Sequence, residues 1–170
     1  VEERILTLCS GALSNIVREV ELFKKTASEN HLDIMTSPRH DLTVEDGLTG
    51  AVTKAYTDFM VATAATGSLL EGLVLLWATE KCYLEAWSYA RSQIPSGSAP
   101  STESGKTRAL ETFIHNWTTS EFRLFVEEIE ALVDEYAKKF SGEQYEDAKN
   151  KAAEVWKWCL WYEERFWDGE

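Results

Sequence analysis

Cysteine, proline, histidine and methionine are all scarce in this chain: three, three, three and two residues among 170. Each shortage closes a door. Cys9, Cys82 and Cys159 are odd in number and far apart, with no CxxC pair, so neither a disulfide framework nor a zinc knuckle is indicated. They read as reduced thiols packed as small core residues, which predicts a cytoplasmic protein. His31, His40 and His115 lie in or near connectors, and Glu111 with His115 is spaced four rather than the three of a di-iron helix motif. No metal site is expected. Positive charge is short as well: 17 Lys and Arg stand against 29 Asp and Glu, a net charge of −12 with a pI near 4.7. That balance repels a nucleic-acid backbone or an anionic membrane. No apolar run is long and charge-free enough to span a bilayer. The opening VEERILTL lacks the basic and apolar regions of a signal peptide. Phosphate-loop, HExxH and GxSxG patterns are absent too.

What is present is helical periodicity from end to end. Ile5, Cys9, Leu13, Ile16, Val20 and Phe23 form a stripe that predicts a helix over 1–29 with that face buried. HLDIMTSPRHD follows, where Pro38 breaks any helix. Thr43 with Asp46 suggests a capping box opening a helix that turns Leu48, Val52, Ala55, Tyr56 and Phe59 inward. Ser68 with Glu71 suggests another after Gly67. IPSGSAPSTESG reads as a solvated connector. Thr118 with Glu121, and Ser141 with Gln144, would cap two further helices, the first burying Phe122, Phe125, Val126, Ile129 and Val133. Nowhere does a convincing period of two appear. The expectation is one all-α helical bundle over 1–170.

Two of these helices hide an acid. In SLLEGLVLLWATEKCYLEAWSYAR the apolar positions Leu69, Leu73, Leu76, Tyr83, Trp87 and Ala90 share a face with Glu80. In AAEVWKWCLWYEERFWDGE the stripe Ala152, Trp156, Cys159, Phe166 and Trp167 contains Glu163. A carboxylate on a buried face must find donors or hold its proton, since burying an unpaired charge is costly. Each acid is therefore either a structural group or a working one. Two acids with pKa values driven apart supply a base and an acid to one site. Rings of Tyr56, Tyr83, Trp87 and Phe166 would suit a flat heteroaromatic ligand, although an aromatic stripe is more often packing.

These motifs also resemble a known family. LEGLVLLWATEKCYLEAWSYA is similar to the central helix of the TenA/thiaminase II proteins, and WYEERFWDGE to their closing helix, with its Glu three residues before Phe-Trp. AYTDFM resembles the preceding helix and HNWTTSEFRLFVEEIE the following one. The resemblance implies an all-α bundle of the haem-oxygenase-like type acting on thiamine pyrimidines. Where one branch carries Cys in the central helix this chain has Glu80, so it is similar to the branch in which Glu replaces Cys. The resemblance then implies Glu80 and Glu163 as catalytic residues. It implies Tyr56, Tyr83, Trp87, Phe166 and Glu21 (or Glu19) as substrate-binding. The implied reaction is hydrolysis of an aminomethyl pyrimidine to the hydroxymethyl pyrimidine and ammonia, without metal or organic cofactor, in a homodimer or homotetramer. The family's two leading helices, with a Gln-Asp-Tyr motif, have no counterpart here, which predicts either a missing N-terminal segment or a lost part of the site. A non-catalytic pyrimidine-binding protein and a haem-oxygenase-like oxidase are the competing readings.

Overall fold

Residues 1–32, 48–94 and 104–168 are described by a computed structural model. Six helices follow one another among these residues: α1 (Glu2–Glu29), α2 (Leu48–Thr66), α3 (Leu69–Ser92), α4 (Gly105–Asn116), α5 (Ser120–Ala137) and α6 (Gly142–Asp168). The described residues contain no strand, as the missing period of two predicts. None of these helices is long and apolar enough to cross a membrane.

Local chemistry sets the ends. Ser68 N–H donates to Glu71 Oε2 at 2.9 Å and Glu71 N–H donates back to Ser68 Oγ at 3.3 Å, the capping box its spacing predicts at the start of α3. At α5 the cap is one residue later than expected. Phe122 N–H donates to Thr119 Oγ1, while the Thr118 hydroxyl turns back to the Ile114 carbonyl. α1 stops in a Schellman turn: His31 takes φ 54°, its N–H reaches Ser28 O, and Leu32 N–H reaches Ala27 O at 2.8 Å. The Thr43–Asp46 box, His40 and Pro38 lie outside the described residues.

The contacts divide the chain into two units. The first comprises the described residues of Val1–Ser37 and Tyr83–Phe125; the second, those of Pro38–Cys82 and Val126–Glu170. In the first unit α1 packs on α4. Their junction is close: a Cβ on Gly105 would stand 2.2 Å from the Asn30 carbonyl oxygen, so only glycine fits there. Arg108 Nε donates to Asn30 Oδ1 across the same junction. The centre of this unit is aromatic. Trp117 is 2% exposed and is ringed by Phe23, Tyr83, Trp87 and Phe113.

The expected stripe of α1 needs correction. Ile5 is buried, but Leu13, Ile16, Val20 and Phe23 are 40–67% exposed and Cys9 is exposed. Leu8, Thr26 and Ala27 complete the buried set. The period was right and the covering was not: α1 packs on α4 and leaves most of that stripe open.

In the second unit α2 packs along α6. The core joins Leu70, Val74, Leu75 and Ala78 of α3 to Ala152, Val155 and Cys159 of α6. Trp77 and Trp156 stack with centroids 4.7 Å apart at its margin. Burial on α3 is therefore wider than the single stripe read from sequence. Leu69 is 44% exposed, whereas Leu70, Val74 and Leu75 are buried. On α5 the expected Val126 and Ile129 are buried together with Leu132, and Phe122, Phe125 and Val133 are half-buried. On α2, Tyr56 is buried, Val52 and Phe59 are half-buried and Ala55 is exposed.

Candidate active site

α6 turns the stripe Ala152, Val155, Cys159 and Glu163 inward, one step per helical turn. Glu163 is the acid of that series, 5% exposed. Both its oxygens are held. The Tyr56 hydroxyl, from α2, donates to Oε1 at 2.8 Å, and the Trp167 indole N–H, one turn along α6, donates to Oε2 at 2.9 Å. Burial pushes the Glu163 pKa up, and the two donors pull it back in part. Tyr56 is itself pushed well above the ordinary phenol range by burial and by the Glu163 carboxylate. Its ring stacks on Tyr162 with centroids 5.0 Å apart and planes 11° apart.

The two donors differ in kind. An indole N–H only donates, so Oε2 stays an acceptor in either protonation state. A phenol both donates and accepts, so Tyr56 can reverse its bond when Oε1 carries a proton. The protonated acid therefore bears its hydrogen on Oε1, toward Tyr56. One turn before Glu163, Cys159 is fully buried and its thiol is pushed up to about 12, chiefly by burial. At neutral pH that thiol keeps its proton and is a poor nucleophile.

The first unit holds a second acid-and-ring arrangement. Trp117 Nε1 donates to Glu19 Oε1 at 3.3 Å, and Glu19 is half-buried with its pKa raised by burial. Trp87 stacks on Trp117 at 5.3 Å and 17°, and Tyr83 meets the same indole edge-on at 5.7 Å. Of the two α1 acids, Glu19 faces this cluster while Glu21 is exposed.

The structure thus joins Tyr56 to Glu163 in one unit and Tyr83 to Trp87 through Trp117 in the other. Phe166 is half-buried and packs edge-on against Trp167. Glu80 is half-buried on α3, in the same unit as Glu163. Two partners escaped the sequence reading as site residues. Trp167 stands four residues after Glu163, a spacing that places both on one helix face and could have revealed it. Trp117 is 98 residues from Glu19, and no local pattern points to it.

The arrangement is that of an all-α chain holding a buried, proton-competent carboxylate among aromatic rings. The chain belongs to the TENA/THI-4/PQQC family, whose model matches residues 40–170. It is similar to the solved structure of a TenA homologue from Pyrococcus furiosus, with a TM-score of 0.65 and 26% identity, covering 91% of this chain and 65% of that one. It is also 32% identical, over 163 residues, to a protein of Fusarium pseudograminearum described as a probable transcription factor. That match covers 79% of this chain, which spans only 30% of the length of the Fusarium protein.

Proposed function

We propose that this chain is a C–N hydrolase of thiamine-pyrimidine salvage, of the branch in which Glu80 stands where others carry Cys. The reaction is R–CH2–NH2 + H2O → R–CH2–OH + NH3. Glu80 takes a proton from the attacking water, whose oxygen forms the new bond to the methylene carbon. The C–N electron pair leaves with the amine, and Glu163 supplies the proton that lets it depart as ammonia. The observation carrying this reading is the Glu163 site: a buried carboxyl, its pKa raised, with one oxygen fixed as acceptor and the other facing a reversible hydroxyl. Membership of the family supports the substrate class.

Within the second unit, Tyr56 and Phe166 would offer their rings to the pyrimidine. The competing reading is ring binding without turnover. A net charge of −12 opposes contact of this chain with a phosphate backbone.

The test is ammonia release from 4-amino-5-aminomethyl-2-methylpyrimidine as a function of pH. A bell-shaped kcat/KM is expected, and Glu163→Gln should remove its high-pH limb and most of the rate. Pyrimidine binding with no ammonia formed would leave the binding reading standing alone.

A further inference from the structure

A cleft of about 290 Å3 opens in the second unit, away from Glu163. It lies where two facing helix stripes meet. From α2 come Phe59, Ala62, Thr63 and Thr66, and from α6 come Lys151, Glu154, Val155 and Trp158. Both sets follow i, i+3, i+4, i+7, one face of each helix. Gly67 and Glu71 close one end. Thr63 is seven residues beyond Tyr56, two turns or about 10 Å along α2, and Phe59 and Trp158 stand between the cleft and Tyr162, the ring stacked on Tyr56.

Its chemistry is specific. Thr63 is only 9% exposed, yet among the described residues its hydroxyl has no hydrogen-bond partner. Thr7, Thr57, Thr66, Thr79 and Thr112 of these helices donate to a carbonyl three or four residues back, whereas Thr63, like buried Thr26, does not. Thr63 lines the cleft. The charge is lopsided. Lys151 is already taken by Asp147 at 2.7 Å. Glu154 has no ion pair among the described residues, and Glu71 spends one oxygen, Oε2, on Ser68. Trp158, one turn beyond Glu154, offers a partly exposed indole, and Phe59 an apolar wall.

We propose that this cleft is a second small-molecule site, which binds a primary ammonium group carried on an aromatic or apolar body. The ammonium donates to the Thr63 hydroxyl and Glu154 carboxylate, and the body lies between Trp158 and Phe59. The negative excess and the indole face both select a cation. The site is independent of the hydrolase reading.

The test uses three probes with nearly the same body and different heads: phenethylammonium, 2-phenylethanol and 3-phenylpropionate, each titrated calorimetrically into the intact chain. Phenethylammonium should bind saturably and about tenfold tighter than the alcohol, with 3-phenylpropionate weakest. Glu154→Gln and Trp158→Ala, both at exposed positions, should each weaken the ammonium about tenfold, and Thr63→Val about fivefold. Glu163→Gln should leave it unchanged. Equal or tighter binding of the carboxylate overturns the proposal. So does absence of binding by all three, parental affinity in both the Glu154 and Trp158 variants, or loss of binding in Glu163→Gln.

Discussion

Glu163 and Glu19 both have pKa values raised by burial beside a tryptophan N–H, and their surroundings differ. Glu163 is 5% exposed and holds a partner on each oxygen at 2.8 and 2.9 Å. Glu19 is half-buried and accepts one longer bond, 3.3 Å, from Trp117. The sharper difference is the second partner. Tyr56 can reverse its hydrogen bond, so Oε1 of Glu163 keeps a partner with or without the carboxyl proton. The Trp117 indole offers Glu19 no such exchange. A donor-only partner favours the ionised form.

The largest effect expected from breaking this comparison is structural. Trp117 is 2% exposed and touches Phe23, Tyr83, Trp87 and Phe113, so Trp117→Ala should cost roughly 3–5 kcal/mol, read by urea denaturation. Next, Tyr56→Phe removes the reversible partner and leaves Oε1 of a buried acid bare. Stability should fall by roughly 1–3 kcal/mol, and proton transfer from Glu163 should slow. An unchanged melting curve would mean that the hydroxyl is not a partner in solution.

The third prediction concerns pH. The folded pKa of Glu163 lies above its ordinary 4.5, so the native state binds this proton more tightly than the unfolded chain does. Its contribution to stability is complete below pH 4.5 and is lost as pH rises through the folded pKa. Glu163→Gln cannot ionise, and its amide can still accept from Trp167 while donating to Tyr56. The variant should therefore match the parent near pH 4.5 and gain on it toward neutrality. A gap that widens toward acid would reverse the sign and refute the raised pKa. The smallest effect is chemical: in the native protein a thiol reagent should modify exposed Cys9 and spare Cys159, which is fully buried and held near 12.

The sequence made Glu163 visible because α6 keeps one residue per turn on the same face, so an acid in that register must be buried. It made the Ser68–Glu71 box visible because both partners lie within four residues. It could not say which helix faces are covered. Leu13, Ile16 and Val20 have a core-like period and yet stand exposed, since periodicity records which residues share a face and not what meets that face. The choice between Glu19 and Glu21 was hidden for a similar reason, because Glu19 meets its donor through Trp117, far along the chain. Thr119 displaced Thr118 as a cap because neighbouring hydroxyls compete for one N–H, and the geometry of the preceding turn decides.

The most direct measurement is steady-state ammonia release from the aminomethyl pyrimidine by the parent, Glu163→Gln and Glu19→Gln, with kcat and KM separated. The proton-transfer role of Glu163 predicts a fall in kcat of about 10²-fold or more with KM little changed. Glu19, in the other unit and with a donor-only partner, is the comparison: Glu19→Gln should keep kcat within a few-fold of the parent. A Glu163→Gln variant that turns over at the parental kcat, or a Glu19→Gln variant that loses kcat as severely, would contradict this distinction between the two acids.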